Sequence, residues 1–153
     1  MPRRVSRESI PASCEEVFAV VHNYEKRLEW DTLLRKAYLE PEFPRAGVGA
    51  ISVCQGRRML GGLALRTIYL TFQPGRVAAV KMLNRPPFFR SFAASIRHFA
   101  IDENNSEIVY EYHFTARPER LQWLLHPIMN LIFGWETGKR LRALKRYCAA
   151  VKK

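Results

Sequence analysis

His98, Tyr110 and Tyr112 are the side chains of this sequence best placed to move a proton. They fall in two runs of period two. One gives Phe92, Ala94, Ile96, His98 and Ala100, and the other Ile108, Tyr110, Tyr112 and Phe114. If both runs are strands, each set lines one face, and a histidine and two tyrosines stand among hydrophobes. Burial shifts pKa values, so such a pair can act as acid and base on an enolisable carbonyl compound. The same groups can equally orient a ligand by hydrogen bonds, or sit satisfied in a core. His98 and Tyr110 are therefore the candidates, and no catalytic residue is assigned.

Arg66 shares the parity of Ile68, Leu70 and Phe72 in "LALRTIYLTF". If that parity faces inward, its guanidinium suits a ligand carboxylate. If Leu63, Leu65 and Tyr69 face inward instead, Arg66 is an ordinary outward charge. His22, His113 and His126 lack metal-ligand spacing, so no metal is expected. Cys14, Cys54 and Cys148 are far apart and form no C-x-x-C, which points to free thiols in a reducing compartment, each a small buried hydrophobe. Gly61–Gly62 lacks G-x-x-x-x-G-K and a following helix, so a phosphate loop is rejected. No cofactor is expected.

The elements that must position these groups are legible from punctuation and periodicity. Arg4–Ile10 reads as a strand stopped by Pro11. Ser13 and Glu16 have the spacing of a capping box, and Val17, Val20, Val21, Tyr24 and Leu28 follow at helical spacing, with a break near Asn23 and a second short helix through "YEKRLEWD". Strands are then expected at Lys36–Glu40, Ala50–Gln55, Leu63–Gln73, Val77–Leu83, Arg90–Ile101 and Glu107–Ala116, with "PG" at Pro74–Gly75 a turn. The last two form a hairpin. Pairing Ile96 with Tyr112 keeps the apolar sets together and places Arg97 opposite Glu111. Pro118 to Lys153 is helical, with Pro127 kinking it or starting its main segment. Helices segregated from antiparallel strands make the chain α+β.

The terminal helix is apolar on two sides. At 100° per residue, Met129, Phe133, Thr137, Leu141, Leu144 and Cys148 share one side, assigned to the sheet, and Met129 and Phe133 are expected to line a cavity. Leu121, Leu124, Leu125, Ile128, Ile132 and Trp135 share another, continued by Lys139, Arg142 and Arg146. Neighbouring loops or the Val17–Tyr24 helix are expected to cover it. The alternatives are an anionic membrane, touched through Ile128, Ile132, Trp135, Lys139 and Arg142, a dimer contact, or a lid.

The chain has 153 residues, 48% hydrophobic, with a formal charge of +11. That size suits one globular unit over 1–153, and that charge favours anionic contacts. No RNA-recognition or helix-turn-helix pattern is present, so nucleic acid is not the expected partner; a basic RNA- or ribosome-associated module is kept as an alternative. No signal-peptide pattern opens the sequence, and Leu121–Trp135 is too short and polar to span a bilayer. A cytoplasmic location, peripheral to a membrane if the helix face docks there, is expected.

The opening "SIPASCEEVF", the "EWD" at Glu29–Asp31 and the closing "LRALK" together resemble the START-like, or SRPBCC, superfamily of polyketide cyclase/dehydrase-type proteins. The resemblance covers almost the whole chain. It implies a helix-grip fold: a curved antiparallel sheet of six or seven strands around the C-terminal helix, with two short helices after the first strand. It also implies an apolar cavity that binds or transports a hydrophobic, lipid- or polyketide-like molecule, with cyclase/dehydratase-type catalysis as the alternative. The expected ligand contacts are Phe92, Ile96, His98, Tyr110, Tyr112, Phe114, Met129, Phe133 and Arg66.

Overall fold

The computed structural model describes residues 3–57 and 63–151. Gly61–Gly62 and the extreme termini lie outside the described residues. The order is β1 (Arg3–Ile10), α1 (Cys14–Val21), a 3-10 turn (Arg27–Glu29), β2 (Leu34–Leu39), β3 (Ile51–Gly56), β4 (Ala64–Gln73), β5 (Val77–Met82), β6 (Phe89–Asp102), β7 (Asn105–Ala116), a second 3-10 turn (Glu119–Leu121) and α2 (Gln122–Val151). The seven strands form one antiparallel sheet in the order β1-β7-β6-β5-β4-β3-β2. Register shifts between Tyr69 and Thr71 and near both ends of β6 help to bend it. The curled sheet grips α2, which rests on β1 and β7. This is the α+β helix-grip arrangement.

Local chemistry explains the joints. Ser13 caps α1, its Oγ accepting from Glu16 N at 3.2 Å. Asn23 Oδ1 accepts from Glu25 N at 3.2 Å, a local turn that competes with helix continuation. The second helix expected through "YEKRLEWD" is consequently only the three-residue turn Arg27–Glu29. Gly75 sits at φ +77° in the β4–β5 turn, a conformation open to glycine. The helix α2 runs unbroken from Gln122, with Pro127 inside it rather than starting it. His126 Nε2, accepting from Ala116 N at 3.0 Å, and Gln122 Nε2, donating to Ala116 O at 3.0 Å, tie its first turns to β7.

The hairpin register needs correction. Ile96 pairs with Tyr110, not Tyr112, and Arg97 stands opposite Val109, not Glu111. Asp102 Oδ1 accepts from Asn104 N at 2.8 Å and from Asn105 Nδ2 at 2.9 Å, closing a turn tighter than "DENNS" suggested. A two-residue slip preserves the face of every side chain, so the inward set survives. Glu111 pairs instead across to β1, at 2.6 Å from Arg3.

The side of α2 carrying Met129, Thr137, Leu141, Leu144 and Cys148 is buried against the sheet, as its periodicity predicts. The opposite side is not covered. Trp123 is 75% exposed, Leu131 68% and Trp135 64%, and Leu121, Leu124, Ile128 and Ile132 are exposed with them. Of that stripe, Leu125 alone tucks against the core around Phe114. The expected cover fails because α1 packs on β6 and β7 instead.

Candidate functional site

Between the sheet and α2 lies a cavity of about 130 Å³. Its middle is apolar, walled by Leu65, Val80, Phe92, Ile96, Tyr112 and Phe133. An apolar cavity of about 150 Å³ stays dry and accepts benzene, so this one takes a single ring-sized group as it stands. Parity builds the wall. Leu65, Thr67 and Tyr69 of β4 face in, as do Ala78 and Val80 of β5.

That parity turns Arg66 outward. Its Nε and Nη2 donate to Glu40 at 2.6 and 2.8 Å, so it does not reach the cavity. Of the remaining expected contacts, Phe92, Ile96, Tyr110, Tyr112 and Phe133 line the space. Phe114 and Met129 do not line it; they are buried behind the wall, in the cluster with Phe89 and Tyr112, which do. His98 is also set apart: it is buried with no hydrogen-bond partner on either ring nitrogen, its ring 5.6 Å from that of Phe18.

The polar groups that do converge come from elsewhere in the chain. Tyr69 OH lies 2.8 Å from His22 Nδ1 and 2.6 Å from Tyr24 OH, and all three residues line the cavity. His22 Nε2 is buried and unpartnered. Burial first, then the charges of Arg27 and His98, hold the His22 pKa well below the usual imidazole value, so the ring is neutral. Burial raises the phenol pKa values of Tyr24 and Tyr69, which are likewise neutral.

Beside them sits a buried ionic triad. Asp31 accepts from Arg27 Nε at 2.9 Å, from Arg140 Nε at 3.0 Å and Nη2 at 2.9 Å, and from Leu33 N at 3.1 Å. Burial alone would raise the Asp31 pKa, but the Arg140 and Arg27 charges and hydrogen bonds outweigh it and hold the group at about 2. Arg27 also donates from Nη1 to Val21 O at 2.9 Å, and its guanidinium lies 5.1 Å from the Trp30 ring centre.

Sequence reading missed most of this set. Asp31 stood in the sequence only as the end of the "EWD" motif, and its partner Arg140 is 109 residues away. One signal was present: at 100° per residue Arg140 falls on the same inward side as Phe133 and Leu144.

His98 carries a pH consequence. Burial lowers its pKa from 6.5 to about 4. Between those values the unfolded chain binds the proton and the folded one resists it, so falling pH destabilises the fold, by about 3 kcal/mol in full at 1.36 kcal/mol per unit. Melting curves at pH 7 and 4.5 should show a loss to which buried His22 adds in the same direction, and His98→Leu should remove the His98 share of it. An unchanged pH dependence in that variant would contradict the assignment.

With the geometry in place, comparison with known proteins decides the family. A family model described as "Polyketide cyclase / dehydrase and lipid transport" matches residues 2–149. The chain belongs to that family. No curated protein matches it significantly. Among solved structures, the Zhui aromatase/cyclase of Streptomyces sp. R1128 superposes with a TM-score of 0.82 at 12% identity, covering 99% of this chain and 96% of that one. A START superfamily protein of Mycobacterium smegmatis gives 0.81 at 9% identity, covering 97% and 98%. A Thermus thermophilus protein gives 0.83 at 12%, covering 99% and 100%. At these identities the structures establish the fold of the family and leave its chemistry to the site. Among the described residues no helix is long and apolar enough to cross a membrane, and no cluster of metal-ligating groups is present.

Proposed function

We propose that the protein binds and carries a hydrophobic small molecule in the cavity between sheet and α2. The supporting observation is the apolar wall of Leu65, Val80, Phe92, Ile96 and Phe133, joined by the hydrogen-bonded groups of His22, Tyr24 and Tyr69. Burying apolar ligand surface contributes about 25 cal/mol per Å², and a few polar groups set orientation. Toluene is the fitting probe: saturable binding is expected, and its absence would overturn the reading.

A catalytic reading rests on the His22–Tyr69–Tyr24 chain rather than on His98. With Tyr24 donating to Tyr69 and Tyr69 to Nδ1, the chain holds the neutral ring with its proton on Nε2. In a cyclase/dehydratase-type reaction that chain would orient a substrate carbonyl by hydrogen bonding, and His22→Gln would lower turnover while ligand binding persisted.

The bare face of α2 completes the carrier reading. At 100° per residue, the exposed Leu124, Ile128, Leu131, Ile132 and Trp135 form one stripe, and Lys139, Arg142 and Arg146 continue it. Lys139 Nζ sits 4.5 Å from the Trp135 ring centre. Large side chains beside cations, on a chain of charge +11, complement an anionic bilayer surface, with Trp135 and Ile132 inserted and the cations at headgroups. In sedimentation with phosphatidylserine-containing vesicles, the double variant Trp135→Ser, Ile132→Ser should lose roughly tenfold or more in partitioning. Unchanged partitioning, or a dimer in place of vesicle binding, would refute membrane docking.

A further inference from the structure

The cavity's polar end holds an excess of positive charge. Arg27 and Arg140 both line the space, yet no aspartate or glutamate does among the described lining residues. Their shared counter-ion, Asp31, stands outside that wall with its side chain wholly buried. Two guanidinium charges against one carboxylate leave a net charge of one at the edge of an apolar space. The other titratable groups there do not offset it: His22 is neutral, and burial raises the Cys54 thiol and the Tyr24, Tyr69 and Tyr112 phenols. A lone buried charge is costly unless it is paired.

Among the described residues the donors are also incompletely used. A guanidinium has five N–H groups. The hydrogen bonds described above take two from Arg140, both on Asp31, and two from Arg27, on Asp31 and Val21 O. Close by, His22 lines the same cavity, its Nδ1 engaged by Tyr69 OH at 2.8 Å. Water can meet such donors, and a ligand carboxylate that displaces it makes charge-assisted bonds in its place.

We infer that Arg27 and Arg140 form an anion-binding subsite, and that the ligand is an apolar ring or chain ending in a carboxylate. The apolar body lies against Leu65, Val80 and Phe92, and the carboxylate completes the charge balance that Asp31 half satisfies. The inference rests on the proposed binding function and narrows its ligand class. Asp31 is a positioning residue: it holds both guanidiniums in place without meeting the ligand.

The test compares p-toluate with p-toluamide, of nearly the same shape but without the charge, by calorimetric titration of the wild-type protein. Toluate should bind about tenfold or more tightly, as hydrogen bonds to charged groups exceed neutral ones. Arg27→Gln, checked for folding by circular dichroism, should shrink that ratio by weakening toluate much more than toluamide. Equal affinity for the two probes in the wild-type protein would overturn the anion subsite and leave the cavity function standing. Failure of toluene, toluamide and toluate alike would overturn the cavity function itself.

Discussion

Asp31→Asn should cost about 3–5 kcal/mol, the usual consequence of stranding buried charge. The carboxylate has no exposed side-chain surface and accepts four bonds, from Arg27, twice from Arg140 and from the backbone at Leu33. The amide keeps one acceptor and turns an NH2 toward guanidinium donors, leaving two buried cations facing each other. In a chain of this size each kcal/mol moves Tm by about 2–4 °C, so the melting temperature should fall by roughly 6–20 °C. Replacing the whole triad by Arg27→Met, Asp31→Leu and Arg140→Met should recover much of that loss, since well-packed apolar groups substitute for buried ion pairs. Tm within about 2 °C of wild type for Asp31→Asn would show that the triad does not anchor the turn to α2. Asp31 also sets an acid limit. Its pKa is depressed from 3.8 to about 2, so its contribution is complete above pH 3.8 and is lost as pH falls toward 2.

Ala78→Phe should abolish ligand binding without unfolding the protein. Ala78 is only 2% exposed, faces the cavity from β5 and pairs with Ile96 on β6. A phenyl group on its Cβ occupies much of a space that admits one ring. Toluene affinity should drop at least about tenfold, and stability should hold or rise by the amount typical of cavity filling, about 0.5–2 kcal/mol. A solid interior would give the opposite pattern, because overpacking costs about 1–3 kcal/mol. The two outcomes differ in sign, so the variant reports on the space as well as on the ligand.

The inward set on β6 and β7 was legible because strand faces depend only on odd and even positions. The same two-residue slip that misplaced Arg97 left Phe92, Ile96, Tyr110 and Tyr112 pointing where parity put them. Register was not legible, since it depends on how Asp102 folds the turn back on itself. The inward side of α2 was clear from Met129 to Cys148, apart from Arg140. A charged residue at helical spacing is ordinarily solvated, and its partner lies in a distant turn that only the fold brings near. Arg66 shows the converse. Its strand alternates between two mixed faces, so periodicity alone could not choose, and the ion pair with Glu40 decides it. The exposed stripe was visible as a pattern; that it stays bare follows from where α1 packs.

The whole account depends on a small dry space between the sheet and α2 that admits an apolar guest. Solution NMR of the isotope-labelled protein titrated with toluene tests it most directly. Shifts should concentrate at the methyl groups of Leu65, Val80 and Ile96 and saturate, leaving Ile128 and Ile132 on the outer face unmoved. Unperturbed methyls at those three positions, or changes confined to the outer face of α2, would contradict the proposed cavity.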